Sequence, residues 1–224
     1  PVVLILLSGS ALAVNWAEMH VPAIIQGWYP GAEGGRILAE TLFGDINPEG
    51  HLPVTFYKGT EELPAFTDYA MEGRTYRYMK QDALYPFGYG LSYTTYAYSN
   101  LTVRGEQVGE DGTDITVTVK NTGKRTGTET VQVYIKIEKE DTPNAQLKAI
   151  RKVTLRPGEE KKVSIHLAKD AFGLCDKEGN FRTRKGEAKV YVGGQAPDRR
   201  SEELTGVKVQ SVMLRTEDEL LWEN

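Results

Sequence analysis

The chain has 224 residues, 40% of them hydrophobic and 26% charged, with 27 Lys and Arg against 31 Asp and Glu for a net charge of -4. That length leaves room for one large or two small domains, each able to bury a core, and two is the better reading. The composition is that of an ordinary soluble globular protein, without an apolar run long enough for a membrane span or the concentrated basic face that nucleic acid or an anionic membrane requires.

The first element is "VVLILL", Val2–Leu7, broken by Ser8-Gly9. With Ala11-Leu12-Ala13 behind it, the run imitates a secretory signal, but its first basic residue, Arg36, lies far downstream where a signal needs a charged leader. Continuous apolar, partly β-branched residues fit a parallel strand covered on both faces, which predicts neighbours and cover on each side. Ala23–Gln26 reads as another short strand, stopped by Pro30-Gly31. In "AEGGRILAETLFG", Ile37, Leu38, Thr41 and Leu42 fall at helical spacing and Gly44 sits where a helix ends. A turn at Pro48-Glu49-Gly50 leads into a predicted strand over Leu52–Phe56, so strand and helix alternate as in an α/β layer whose sheet is incomplete.

Between residues 76 and 98 the chain crowds seven of its twelve tyrosines together with Phe87. Such a segment has too much area to bury for a flexible linker and is expected to be buried between two domains. Charge changes across it as well. Residues 1–95 carry five Lys or Arg against ten Asp or Glu, and residues 96–224 carry 22 against 21. Beyond it the period becomes two: 114–120, 129–138, 161–168, 187–194 and 207–214 alternate, with apolar residues on one face, between turn signals at Asn121-Thr122-Gly123, Pro157-Gly158, Glu178-Gly179-Asn180 and Gly193-Gly194. About seven short strands over such a length describe an all-β sandwich of immunoglobulin or fibronectin type III kind. The expected organisation is therefore 1–75 as part of an α/β domain, 76–95 as an aromatic interdomain linker, and 96–224 as the sandwich.

Chemistry is hard to find. Ser8 and Ser10 lack the glycine two residues before them that a nucleophile elbow needs, and His20, His51 and His166 stand in no metal-ligand frame. Cys175 is the single cysteine, which excludes an intrachain disulfide and thiolate metal clusters; it favours a cytoplasmic compartment slightly over a periplasmic or secreted one and leaves the compartment undecided. Asn100-Leu101-Thr102 is a sequon in a strand-like context and carries no weight. "PGAEGG", residues 30–35, matches no phosphate loop; its glycines allow a tight helix entry, and Glu33 lacks a second carboxylate at any special spacing for general-acid work. Arg74 and Arg77 in "GRTYRY" could hold a carboxylate or sugar hydroxyls, but arginines among tyrosines more often weld an interface.

Taken in order, "PVVLILLSG", "AIIQGWYPGAEGG", "LAETLFGDINPEGHLPVTF", "GRTYRY", "LYPFGYGLSYTTY", "VKNTGKRTGTETVQVYI", "LRPGEEKKVSIHL" and "GEAKVYVGG" resemble glycoside hydrolase family three, the β-glucosidase and β-xylosidase family, over nearly the whole chain. The resemblance implies the second half of that family's α/β sandwich domain followed by its fibronectin type III-like domain. It implies a retaining, exo-acting β-glycosidase whose Asp nucleophile and Glu acid/base both belong to segments upstream of Pro1. No residue here then qualifies as catalytic, cofactor-binding or metal-ligating, neither Glu18 nor Glu33 substitutes, and the substrate-binding residues stay open. The implied partners are an oligosaccharide or glycoside substrate and the N-terminal catalytic part, as a separate chain or as sequence lost from this one; no cofactor, nucleic acid or membrane is expected. The alternative function is a noncatalytic fibronectin-like module that binds carbohydrate or protein.

Overall fold

The computed structural model describes residues 1–222, which divide into two compact units, Pro1–Ser92 and a second beginning at Tyr93. In the first unit, strand β1 (Val3–Leu6) is followed by helix α1 (Asn15–His20) and strand β2 (Ala23–Gln26). The strands pair in parallel, Val3 opposite Ala23 through Leu6 opposite Gln26, as continuous apolar runs demand. Helix α2 (Gly34–Phe43) ends at Gly44, whose φ of +79° gives the left-handed cap that only glycine adopts freely. Arg36 ties the first turns of α2 by pairing with Glu33 at 2.8 Å and Glu40 at 2.7 Å.

The cover predicted for these strands is not supplied within the unit. Of β1 only Leu6 is buried, while Val2, Val3 and Leu7 are exposed. Ile37, Leu42 and Phe43 of α2 are exposed too, Phe43 by 85%.

Residues 52–56 form an interrupted ladder instead of the expected strand. Leu52 N donates to Tyr89 O at 2.8 Å, Gly88 N to Leu52 O at 2.8 Å, Phe56 N to Tyr85 O at 2.9 Å and Leu84 N to Phe56 O at 2.8 Å. Pro53 and, opposite, Pro86 have no N–H to continue the rungs, so the pairing shrinks to a bridge between Phe56 and Tyr85. Those bonds also place most of the segment read as a linker inside the first unit, which includes the short helix α3 (Thr75–Tyr78). Within the unit, Tyr85 meets Phe56 edge-on at 6.1 Å and stacks on Tyr89 at 5.7 Å, and Tyr76 stacks on Phe87 at 4.1 Å. Tyr76, Tyr85 and Phe87 are half-buried, less than their crowding suggests.

The second unit is built from strands β3 (Tyr96–Val103), β4 (Thr113–Asn121), β5 (Gly127–Ile137), β6 (Gln146–Leu155), β7 (Glu160–Leu167), β8 (Leu174–Cys175), β9 (Phe181–Thr183) and β10 (Gly186–Gly193), helix α4 (Arg199–Thr205), and strands β11 (Gln210–Thr216) and β12 (Glu219–Trp222). Seven strands make two antiparallel sheets, β11-β10-β5-β6 and β3-β4-β7, and β12-β9-β8 form a small third. Ile115, Val117, Val119, Val131, Val133, Ile135, Val190 and Leu214 alternate inward from the two large sheets into one core. Strand β6 escapes the alternation rule because the β5–β6 register shifts between Val133, opposite Ala149, and Tyr134, opposite Leu147, passing over Lys148. Strand β5 departs from the expectation of one apolar face. Thr130, Gln132 and Tyr134 of its other face are buried as well, with Tyr134 Oη donating to Gln132 Oε1 at 2.6 Å and Gln132 Nε2 to Gly194 O at 2.9 Å. Among the described residues no helix is long and apolar enough to cross a membrane.

Two polar links tie the sandwich across its strands. Asn121, fully buried, accepts from Thr94 Oγ1 at 2.6 Å and Gly123 N at 3.0 Å, and donates to Arg125 O at 2.7 Å and Leu155 O at 3.0 Å. A Cβ on Gly123 would stand 2.2 Å from Thr94 Oγ1, so the Asn-Thr-Gly turn needs its glycine for close approach. Tyr98 of β3 joins Glu129 of β5 across the sheets, Oη donating to Oε1 at 2.5 Å. Burial pushes the Glu129 carboxyl up to about 7, against the pull of the Tyr98 hydrogen bond.

Asn121→Asp replaces an amide that donates to two carbonyls with an acceptor facing them. It should destabilise the sandwich by about 3 kcal/mol in urea unfolding, while a loss below 1 kcal/mol would mean the network is slack. Between pH 4.5 and about 7 folded Glu129 keeps a proton that the unfolded chain gives up, so this residue lowers stability as pH rises through that window and adds no slope above it. Glu129→Gln should remove that slope and leave the variant more stable at pH 8 by up to about 3 kcal/mol. Parallel pH profiles of urea midpoints for parent and variant would refute the assignment.

Candidate functional site

In open α/β sheets the carboxyl ends of parallel strands are where loops diverge and ligands gather. After β1 the chain turns through Ser8, whose Oγ donates to Ser10 O at 2.8 Å, and Gln26 at the end of β2 reaches back with Nε2 to Ser8 O at 3.3 Å and Ser8 Oγ at 3.2 Å. At Gly9 a Cβ would lie 2.7 Å from the exposed Tyr29 ring, so a larger residue there would displace that ring. After β2, Trp28 takes a φ of +51°, a left-handed conformation that costs a bulky residue about 1–3 kcal/mol and marks a position held by its surroundings. Its ring meets Phe56 edge-on, with centroids 6.2 Å apart.

Both strand ends therefore run to one short segment, Phe56-Tyr57-Lys58. Trp28, after β2, packs on Phe56. Asn15, after β1, donates from Nδ2 to Lys58 O at 2.6 Å. Tyr57 Oη accepts from Thr75 N at 2.8 Å, and Thr75 is itself strained, with φ +55°. The loop 59–74 thus leaves and rejoins the fold at this segment.

Arg74 organises that loop from within. Its Nη2 donates to Ala65 O at 3.0 Å and Asp68 O at 2.7 Å, and its Nε to Ala70 O at 3.2 Å. Asp68 N donates to Ala65 O at 2.9 Å, Asp68 Oδ1 accepts from Ala70 N at 2.8 Å, and Arg74 N donates to Met71 O at 3.0 Å. The loop closed by these bonds holds Phe66 94% and Tyr69 91% exposed.

The other residues singled out in the sequence lie apart from this end. Glu33 pairs with Arg36, and Arg77 lies over the Tyr76 ring at 5.9 Å. His20 stacks on Trp16 at 4.7 Å, the His51 Nδ1 bonds Gly88 O at 2.8 Å, and the His166 Nδ1 bonds Asp114 at 2.8 Å in the second unit. Cys175 is exposed on β8. Among the described residues no group of three or more His, Cys, Asp or Glu could hold a metal ion. A cleft of about 340 Å³ in the second unit is lined by Lys169, Glu110, Glu217, Glu219 and other non-aromatic residues, and Lys169 pairs with Glu219. It offers no flat ring on which a sugar could stack. Trp28, Asn15 and the carbonyl cage around Arg74 were not picked out by sequence reasoning. Only the arginine carried a signal, in "GRTYRY".

The glycosyl hydrolase family 3 C-terminal domain matches residues 1–93, and a fibronectin type III-like domain matches residues 129–196. A xylan 1,4-β-xylosidase from Xylanibacter ruminicola is 41% identical over 202 residues, 88% of this chain and 23% of that protein. The chain belongs to glycoside hydrolase family 3. A periplasmic β-glucosidase from Salmonella typhimurium is 36% identical over 86% of this chain and 27% of its own length, so the chain spans about a quarter of these relatives. Among solved structures, β-glucosidase 3B from Thermotoga neapolitana superposes with a TM-score of 0.83 at 30% identity, covering 98% of this chain and 32% of that one. A family 3 β-glucosidase from Bifidobacterium adolescentis gives 0.80 at 28% identity, covering 97% and 33%. The C-terminal domain match of this family 3 chain ends at residue 93, beside the boundary between its two units.

Proposed function

We propose that this chain is the C-terminal part of a retaining, exo-acting β-glycosidase, a β-glucosidase or β-xylosidase that removes terminal β-linked sugars. The observation that carries the reading is the match along 88% of the chain to enzymes of which it spans only about a quarter. A second support is physical: the first unit leaves the apolar faces of β1 and α2 exposed, as expected of a sheet completed by further strands and helices.

Retaining hydrolysis needs two carboxyl groups about 5–5.5 Å apart, one a nucleophile and the other an acid that becomes a base. Several carboxylates of the first unit have structural duties instead. Glu33 and Glu40 share Arg36, Glu72 pairs with Lys80 at 2.7 Å, and Glu62 accepts the Lys58 N–H at 2.9 Å. In this reading the pair belongs to sequence preceding Pro1. The residues after β1 and β2 then contribute the wall of the substrate site: Trp28 and Phe56 fix its backbone, and the loop 59–74 projects from it.

The chain by itself should not hydrolyse aryl β-glucosides or β-xylosides, whereas the full-length protein should do so with retention of anomeric configuration, read by NMR of the first-formed sugar. Turnover by the isolated chain at the full-length rate, abolished by replacing one of its own carboxylates, would place the active site here and overturn the proposal.

A further inference from the structure

Glu129 of β5 is buried, and sequence outside this chain can only add to its cover. Val153 stands opposite it on β6, Tyr98 Oη from β3 donates to its Oε1 at 2.5 Å, and β10 runs into Gly194, where a Cβ would lie 2.2 Å from the same oxygen. Val119 of β4 stands opposite Tyr98, and Tyr96 is the other titratable group that acts on that phenol. Arg125, in the turn before β5, lies over the Tyr93 ring at 5.8 Å. Burial therefore dominates at the carboxyl. Once ionised it lacks the water it would have outside, and the fold can supply that water by unfolding altogether or by opening beside it.

Strand β3 is suited to the local route. It lies at the edge of the β3-β4-β7 sheet and is paired with β4 alone. Tyr96 pairs with Asn121 and Ser99 with Thr118, but Thr102 pairs with Thr116, which leaves Asn100 and Leu101 against the single residue Val117. Asn100 takes up the extra residue with a φ of +54°, a left-handed conformation that asparagine tolerates. That residue is slack. On the other side the chain is held by Thr94 Oγ1, which donates to Asn121 Oδ1 at 2.6 Å, and by Thr122 N, which donates to Thr95 O at 2.8 Å. Residues 96–99 can thus bow outward between fixed ends, and Tyr98 is where they bond the opposite sheet.

We propose that residues 96–99 form a proton-operated flap, held shut through Tyr98 while Glu129 is protonated and bowed out between Thr95 and Thr102 to admit water when Glu129 ionises. The proton thereby sets the stiffness of the strand by which the chain enters the second unit. The sign follows from the two environments of the carboxyl. Shut, the flap holds it at about 7; open, it is hydrated and returns toward 4.5, so opening is favoured increasingly as pH rises to about 7 and no further.

The test is hydrogen exchange on the full-length protein, read at residue resolution over 96–99 and over 131–135 of β5 and corrected for the intrinsic pH dependence of exchange. Opening of 96–99 should grow about tenfold per pH unit between about pH 5 and pH 6.5, level off above about pH 7, and be insensitive to low urea, the mark of a local opening. Glu129→Gln should stay near the parent's low-pH value across the whole range. Tyr98→Phe keeps the ring and removes the bond, and should raise opening at pH 5 about fivefold to tenfold. Opening of 96–99 that does not change with pH in the parent, or a slope that survives in Glu129→Gln, would overturn the proposal. So would Tyr98→Phe at the parent's level. A parent slope with the same urea dependence as 131–135 would overturn it too, since only global unfolding would then sense the proton.

Discussion

Two parallel strands whose side chains are apolar on both faces cannot shield themselves, and the first unit is organised around that constraint. Strand β1 has one neighbour, β2, and one buried residue, Leu6, so its hydrophobic run does little for stability among residues 1–92. What holds the unit together is the Phe56-Tyr57-Lys58 segment, where a ring contact, an amide bond and a tyrosine hydroxyl gather the loops leaving both strands and α3. Apolar burial on the scale of the second unit's core is absent from it. The first unit positions loops, and the second closes an apolar core between its own sheets.

In the second unit the apolar core supplies the driving force and the buried polar groups supply specificity. Asn121 satisfies all four of its side-chain hydrogen-bonding positions with partners from 94, 123, 125 and 155, so only one register of the surrounding turns closes the network. The Tyr98–Glu129 link works differently. Burial outweighs the hydrogen bond at its carboxyl, so the pair is most favourable with Glu129 protonated and becomes a liability once it ionises.

The same contrast explains what the sequence disclosed. Continuous and alternating hydrophobic patterns were enough for β1, β2, α2 and most of the sandwich, because burial on one or both faces is written directly into residue type. Strand β6 was missed because a register shift opposite Val133 and Tyr134 breaks its period, and 52–56 was overread because the same alternation survives where two prolines have removed the hydrogen-bond rungs. The candidate site was the least visible. Arg74 acts on main-chain carbonyls, which every residue has, so no spacing of side chains announces the cage. Asn15 acts on Lys58 O for the same reason.

Trp28 shows how geometry at the strand ends is set. A glycine would occupy a φ of +51° without strain, yet the position carries the bulkiest side chain available. The left-handed turn redirects the chain leaving β2 so that the indole meets Phe56 and not solvent along the strand axis, and the edge contact at 6.2 Å offsets part of the backbone cost. Thr75, also left-handed, does the corresponding job at the other end of the loop, turning its N–H onto Tyr57. Two strained residues thus grip adjacent positions, 56 and 57. Relaxing either would release one boundary of the segment from which Phe66 and Tyr69 project, so the strain is the means by which a unit poor in apolar burial keeps one loop still.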